Sequence, residues 1–280
     1  MQTIRSVAKM QKVSRQIAGK KDTIALVPTM GFLHEGHQAL IRRAKKEADV
    51  VIVSIFVNPA QFAPNEDFTK YPRDEKGDLK KIKTAGGDIV FIPKAEEIYP
   101  KDFQTSVTVA ELTKTLEGAF RPAHFRGVTT IVAKLFNICR PDVAIFGMKD
   151  FQQAIVLKQM TRDLGYPIKY VIATTVREPD GLAMSSRNKY FNAEQRIEAR
   201  CLFYALRTAK ELVKSGEVDT AKIEKEMREV IISTCPISEI EYIAFTEFES
   251  LAPVSKVRKW TVCSLAVKVH GVRLIDNVRF

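Results

Sequence analysis

An apolar run at residues 23–27 leads straight into Pro28, Thr29, Met30, Gly31, Phe32, Leu33, His34, Glu35, Gly36 and His37. Leu33, His37, Leu40, Ile41, Ala44 and Ala48 then recur at spacings of three and four, the period of a helix with one buried face. The stretch therefore predicts a strand, a tight turn and a helix over 33–48, with both histidines at the helix start. That position carries unpaired backbone N–H groups and a partial positive charge, which attract phosphate. His34 and His37, three residues apart, share one face and add donors, and Gly36 leaves room for a flat ligand. The same pair could be half of a zinc site. A third protein ligand would then be needed, only His124 and His270 remain, and no cysteines cluster here. A phosphate-binding turn is the expectation.

The pattern repeats downstream. Residues 50–57 read as a strand buried on both faces. The turn-forming loop 58–67 follows, rich in Asn, Pro and Asp. A polar helix is expected over 73–85, ended by Gly86-Gly87, and a strand over 89–93. Residues 94–115 are less regular, with a short strand candidate at 106–109. Residues 116–127 form a loop carrying Arg121, His124 and Arg126. An apolar helix over 128–139, a strand over 142–147, a helix over 151–164 and a strand over 168–174 complete the alternation. Strand, helix, strand in this order predicts a Rossmann-like, doubly wound parallel sheet. No strict G-x-G-x-x-G follows the first strand, so a dinucleotide fingerprint is not expected. Past residue 175 the texture changes. A polar crossing over 176–188 precedes helices at 193–214 and 219–233, then strands at 241–246, 261–269 and 273–276. The expected division is a domain over 1–176 and a smaller α+β domain over 177–280.

Composition narrows the partners. The 280 residues carry a formal charge of +11, which suits an anion such as a nucleotide, a polyphosphate or a nucleic acid. The basic residues are scattered on helix faces without interleaved aromatics, so no nucleic-acid surface is expected. The four cysteines, Cys139, Cys201, Cys235 and Cys263, are far apart in sequence and read as buried thiols of a reducing cytosol. The longest apolar run, 50–57, is too short to span a bilayer. The first 21 residues hold six basic and no acidic residues, a faint transit-peptide signature. Val7, Met10, Val13 and Ile17 nevertheless form a stripe leading into the first strand, and a structural helix is expected there.

Four segments leave the carboxyl ends of predicted strands, where open α/β sheets bind ligands. They are the turn from Met30 to His37, the loop at Asn58 to Gln61, the turn from Gly147 to Gln153, and the crossing up to Arg187. His34, His37, Lys149, Ser185, Ser186 and Arg187 offer donors and positive charge for a triphosphate. Gln61 and Gln153 offer neutral amides for a small polar acid. The mixture suits nucleotidyl transfer, in which fixed cations and N–H groups stabilise charge on phosphorus and on the leaving pyrophosphate. Mg²⁺ would accompany the nucleotide, and no dedicated protein metal site is expected.

These motifs carry a resemblance. The turn around His34 and His37 is similar to the H-x-G-H signature of a nucleotidyltransferase superfamily that includes class I aminoacyl-tRNA synthetases. Met184-Ser185-Ser186-Arg187 is similar to its K-M-S-K-S-type motif. The ordered set P-T-M-G-x-L-H-x-G-H, F-V-N-P-x-Q-F, Y-P-R-D, R-P-x-H-F-x-G-V, F-G-x-K-D-x-Q-Q and V-R-E-x-D-G-L-A-x-S-S-R-N, over residues 23 to about 190, resembles the pantothenate synthetase (pantoate–β-alanine ligase) family. The resemblance implies activation of pantoate by ATP to pantoyl adenylate, followed by attack of β-alanine and release of AMP. It implies that Met30, Gly31, Phe32, Leu33, His34, Glu35, Gly36, His37, Gly147, Met148, Lys149, Asp150, Val176, Met184, Ser185, Ser186 and Arg187 bind ATP. His37 would be the catalytic histidine. Gln61 and Gln153 would hold pantoate, and Gln61 would also face β-alanine. A cytoplasmic homodimer is implied, with the smaller domain as a lid that keeps water off the adenylate. Two residues depart from the family pattern: Met148 stands where an acidic residue is usual, and Ala123 where glycine is usual. The residues alone leave open another nucleotidyltransferase with a different acceptor, or a basic nucleic-acid-binding protein. The latter gives no reason for Gln61 and Gln153.

Overall fold

The computed structural model describes residues 1–64, 66 and 68–280. Asn65 and Asp67, in the expected 58–67 loop, lie outside the described residues. The chain separates into two compact units, Met1–Gly147 with Val156–Thr174, and Met148–Ile155 with Thr175–Phe280.

In the first unit, β1 (Gln2–Ile4) leads to α1 (Val7–Gly19) and then β2 (Ile24–Thr29). The first helix is part of the fold: Met10 and Ser14 are its buried residues, and Ser6 Oγ caps it by accepting from the Lys9 N–H. Next come α2 (Glu35–Lys45), β3 (Val50–Ile55), a single 3₁₀ turn (Pro59–Gln61), α3 (Glu75–Ala85) and β4 (Ile89–Phe91). Gly86 ends α3 at φ +94°, a left-handed conformation that glycine adopts without strain. Two short helices follow, α4 (Ala95–Ile98) and α5 (Glu117–Phe120), then α6 (His124–Cys139), β5 (Val143–Gly147), α7 (Phe151–Asp163) and β6 (Lys169–Ala173). The six strands form one sheet in the order β1-β4-β3-β2-β5-β6, and every strand pair is parallel. The order reverses between β2 and β5, and the crevice outside the carboxyl ends of such strands is where doubly wound sheets bind ligands. The core on one face joins Val27, Val53, Val90 and Ile145 of the strands to Ile41 and Ala44 of α2 and Ile82 of α3.

Three expectations for this unit change. The candidate strand at 106–109 is extended chain outside any sheet. Thr129 Oγ1 donates to the Val107 carbonyl at 2.6 Å, and the Val107 N–H donates to Thr130 Oγ1 at 3.0 Å. Side chains of α6 thus replace a neighbouring strand. The loop at 116–127 contains α5, and α6 starts at His124 rather than at 128. Ala123 has φ −88°, which alanine adopts freely, so glycine is not required there. The edge strand β1 carried too few residues to show a periodicity.

The second unit holds α8 (Ala193–Ala199), α9 (Cys201–Lys214), α10 (Thr220–Thr234), β7 (Glu239–Glu247), β8 (Thr261–Val269) and β9 (Val272–Arg279). The strands make an antiparallel sheet in the order β7-β8-β9. Its core joins Leu202 and Leu206 of α9, Ile223, Met227 and Ile231 of α10, and Leu265 and Val267 of β8. The expected helix over 193–214 breaks at Arg200, whose N–H turns back to the Ile197 carbonyl at 3.2 Å. The chain passes into this unit at 174/175, and residues 148–155 also pack with it. The reason is visible in β9: Asn277 Nδ2 donates to the carbonyls of Met148 and Lys149, both at 2.9 Å.

No helix among the described residues is long and apolar enough to cross a membrane. All four cysteines are free and buried.

One glycine marks a close approach. A Cβ on Gly127 would lie 2.2 Å from the Ala60 carbonyl oxygen and 2.6 Å from the Gln61 nitrogen. Gly127→Ala should therefore lower the unfolding free energy by about 1–3 kcal/mol through displaced backbone. Denaturant titration measures it, and an unchanged midpoint would disprove the tight seating of α6 on the 3₁₀ turn.

Candidate active site

The turn after β2 is held by a residue far beyond His37 in sequence. Gly31 and Phe32 both have positive φ, +83° and +50°, an arrangement strained for phenylalanine. The buried Asp78 of α3 stabilises it: its carboxylate oxygens accept from the Phe32 and Leu33 N–H groups, each at 2.7 Å. Lys81, one turn further along α3, donates to the Leu33 carbonyl at 2.7 Å. Burial raises the Asp78 carboxyl above its ordinary value, although the two N–H groups and Lys81 pull the other way. The backbone donors of Phe32 and Leu33 are thus committed to shaping the turn. Sequence reading did not single out Asp78. Its signal was its place four residues before Ile82, on the inward face of a polar helix.

His34 is the N-cap of α2 and His37 its third residue, as the spacing predicts. The rings lie 4.1 Å apart between centroids. The His34 backbone N–H donates to His37 Nδ1 at 3.3 Å, one half of a capping box. An accepting Nδ1 puts the ring proton on Nε2, which makes Nε2 a hydrogen-bond donor.

Gln61 joins this turn. Its Nε2 donates to Met30 Sδ at 3.1 Å, and its Oε1 accepts from Asn58 Nδ2 at 3.0 Å. Asn58 is set in turn by the Tyr99 hydroxyl, which donates to its Oδ1 at 2.8 Å, and by the Gly127 carbonyl, which accepts from its Nδ2 at 3.0 Å. Burial pushes the Tyr99 hydroxyl up to about 12, so it remains a donor at neutral pH. The chain Tyr99–Asn58–Gln61 fixes which way the Gln61 amide faces. A second N–H and a second lone pair of that amide are left for a ligand.

The Gln61 backbone is anchored as well. His124 Nδ1 lies 2.9 Å from the Gln61 carbonyl and its Nε2 lies 3.3 Å from Arg121 Nη1. A carbonyl only accepts and a guanidinium only donates, so Nδ1 carries the proton and Nε2 is the acceptor. His124 is therefore neutral. Burial and then the Arg121 charge lower it to about 4. Arg121 itself pairs with Glu66 through Nε at 2.7 Å and Nη2 at 2.6 Å.

In the second unit, β9 organises the other expected residues. Asn277 holds the turn that carries Lys149, as described above. Its neighbour Asp276 is buried and takes a bidentate pair from Arg177, at 2.6 and 3.0 Å. Arg177 also donates to the Gly181 carbonyl at 3.0 Å. The crossing is thereby folded back on itself, and the Met184 N–H donates to the Val176 carbonyl at 3.1 Å. Ser185 caps a 3₁₀ helix (Ser186–Tyr190) by accepting from the Arg187 N–H at 3.2 Å. Asn188 closes the turn on Glu178 at 3.0 Å and on the Ala183 carbonyl at 3.1 Å. Lys149 lies 3.5 Å from Asp150. Gln153 lies two residues into α7 and is half-buried. Arg177, Asp276 and Asn277 were not expected site residues, because the partners they hold lie about a hundred or more positions away along the chain.

Met30, Gly31, Phe32, Leu33, His34, Glu35, Gly36, His37 and Gln61 thus gather in the first unit. Gly147 ends β5 of the same unit, at the switch point beside β2. Met148, Lys149, Asp150, Gln153, Val176, Met184, Ser185, Ser186 and Arg187 belong to the second.

Asp78→Asn puts an NH₂ group against one of two backbone N–H donors, and should destabilise the fold by about 1–3 kcal/mol in denaturant unfolding. His124 is neutral when folded and titrates at its ordinary 6.5 when unfolded, so the folded state binds fewer protons between these values. Its contribution is complete above pH 6.5 and is lost as the pH falls toward 4. The loss of stability from about pH 7 to about pH 4 should be smaller in His124→Asn by on the order of 3 kcal/mol. Equal losses in the two proteins would refute the neutral assignment.

The family model for pantoate-beta-alanine ligase matches residues 2–279. The chain is 50% identical over 278 residues to pantothenate synthetase of Thermosipho africanus, covering 99% of each chain. It is 49% identical over 277 residues to that of Geobacter sulfurreducens, covering 99% of this chain and 98% of the other. The crystal structure of pantothenate synthetase from Thermus thermophilus superposes with a TM-score of 0.94 at 41% identity, covering 100% of this chain and 99% of that one. Pantoate-beta-alanine ligase from Francisella tularensis, solved with a β-γ ATP ligand and β-alanine, superposes at 0.83 with 34% identity, covering 100% and 97%. The chain belongs to the pantoate–β-alanine ligase family.

Proposed function

We propose that this chain joins pantoate to β-alanine with ATP as the activating substrate, through the residues named above. The observation that carries the reading is the Gln61 amide, oriented by Asn58 and seated on Met30 beside the His34–His37 helix start, in a chain so similar to pantothenate synthetases. ATP enters as its Mg²⁺ complex. The ion would supply charge neutralisation at the phosphates.

In this reading Gln61 and Gln153 hold pantoate by its hydroxyl and carboxylate groups. A pantoate carboxylate oxygen attacks the α-phosphorus, the bond to the bridging oxygen breaks, and pyrophosphate leaves. His37 donates from Nε2 to phosphate oxygens as charge builds there, and Lys149, Ser185, Ser186 and Arg187 stabilise the rest. The β-alanine amine, placed near Gln61, then attacks the acyl carbon. The acyl–phosphate bond breaks, a proton leaves the amine, and AMP departs. The lid role of the smaller domain over 177–280, which keeps water from the adenylate, rests on the family resemblance. A homodimer in the cytoplasm belongs to the same reading and rests on the family resemblance.

The test is product analysis with ATP, Mg²⁺, pantoate and β-alanine. AMP whose formation needs both acids is expected. ADP would indicate an acyl-phosphate route, and AMP formed with other acceptors only would indicate a different nucleotidyltransferase. His37→Ala should lower kcat by about 10²-fold or more, with an undiminished rate removing His37 from the mechanism.

A further inference from the structure

Three elements of the second unit converge on one point that the reaction does not use. Glu198 comes from α8, Cys235 from the end of α10, and His270 from the turn between β8 and β9. His270 Nε2 lies 2.6 Å from Glu198 Oε2, and the Cys235 thiol donates to the same oxygen at 3.4 Å. One nitrogen, one sulfur and one oxygen ligand atom thus lie within 4.8 Å of one another. We propose that Glu198, Cys235 and His270 bind one divalent d-block cation, with zinc the ion that the donor set fits.

The chemistry supports zinc over the hard cations. Thiolate, imidazole and carboxylate together suit a borderline ion, whereas Mg²⁺ and Ca²⁺ take oxygen donors. The thiolate and the carboxylate together balance the charge of the dication, so a neutral site forms in partly buried surroundings. Zinc bonds of about 2.0–2.3 Å separate tetrahedral ligands by roughly 3.3–3.8 Å. The histidine–carboxylate pair must therefore open by roughly an ångström, and the widest pair must close by about as much. The two protons now pointing at Glu198 Oε2 are what the cation replaces. The thiol proton is released, and the imidazole proton moves from Nε2 to Nδ1 or leaves. Water fills the fourth position. Cys235 is fully buried, while the side chains of His270 and Glu198 are 23% and 35% exposed, which gives a path of entry.

One further observation agrees. His270 has φ +47° and Gly271 φ +76°. They form a two-residue hairpin turn whose first position ordinarily takes Asn, Asp or Gly. The imidazole occupies a place where asparagine would be less strained.

The experiment uses the full chain, stripped with chelator and titrated with Zn²⁺ by calorimetry, with thermal unfolding and the Co²⁺ spectrum as further readouts. One equivalent should bind and raise Tm, and Co²⁺ should show a thiolate charge-transfer band. Cys235→Ser should abolish that band. His270→Asn should weaken binding at least ~10-fold while its metal-free Tm stays equal to or above that of the parent, because asparagine suits the turn. That variant separates ligand loss from misfolding. Absence of binding would overturn the proposal. So would binding that persists unchanged in both variants, or that is lost in His37→Ala instead.

Discussion

A single buried carboxylate, that of Asp78, holds the Phe32 and Leu33 N–H groups at 2.7 Å each, and the turn that leads into α2 depends on it. Without these bonds the strained Gly31–Phe32 turn would relax, because a left-handed phenylalanine has no intrinsic stability. The turn sets where α2 begins, and the start of α2 sets the two histidine rings. The N-terminal charge of a helix is useful to a phosphate only if the helix is aimed correctly. Here the aim comes from α3, a helix that supplies no expected ligand contact of its own.

The second unit follows the same logic with different parts. Asp276 and Asn277 are adjacent on β9. One holds Arg177, and through it the folded crossing that carries Val176 and Met184. The other holds the carbonyls of the turn that carries Lys149. The rigid strand is the reference, and the loops take their positions from it. Buried polar networks of this kind are stable only when every member is satisfied. The Arg177–Asp276 pair achieves this with two bonds to each other, bonds from Arg177 to the Gly181 and Asn277 carbonyls, and one to Asp276 from the Asn277 N–H.

Much of the fold was legible because its signals are local. Strands β2, β3, β5 and β8 are largely apolar runs, and α2, α3 and α10 show a clear helical period. The histidines fell at the helix start because their spacing and the preceding strand demand it. The errors have local causes too. Residues 106–109 look like a strand, but threonines of α6 satisfy their backbone. Arg200 sits mid-helix by pattern, yet the chain tightens there. Residues 277–279 lie beyond the expected strand 273–276, yet pair with β8.

The amino-acid sequence alone determined the strand–helix alternation, the placing of His34 and His37 at a helix start, and the family. Each of these rests on neighbours within a few positions or on an ordered set of motifs. Tertiary structure alone decided which distant side chains anchor those motifs: Asp78 under the turn, Tyr99 and Asn58 behind Gln61, Asn277 behind Lys149. It alone also decided that Glu198, Cys235 and His270 meet. Hydrogen bonds and ligand sets join groups by distance in space, and the spacing of residues along a chain does not encode that distance once helices and strands fold over one another.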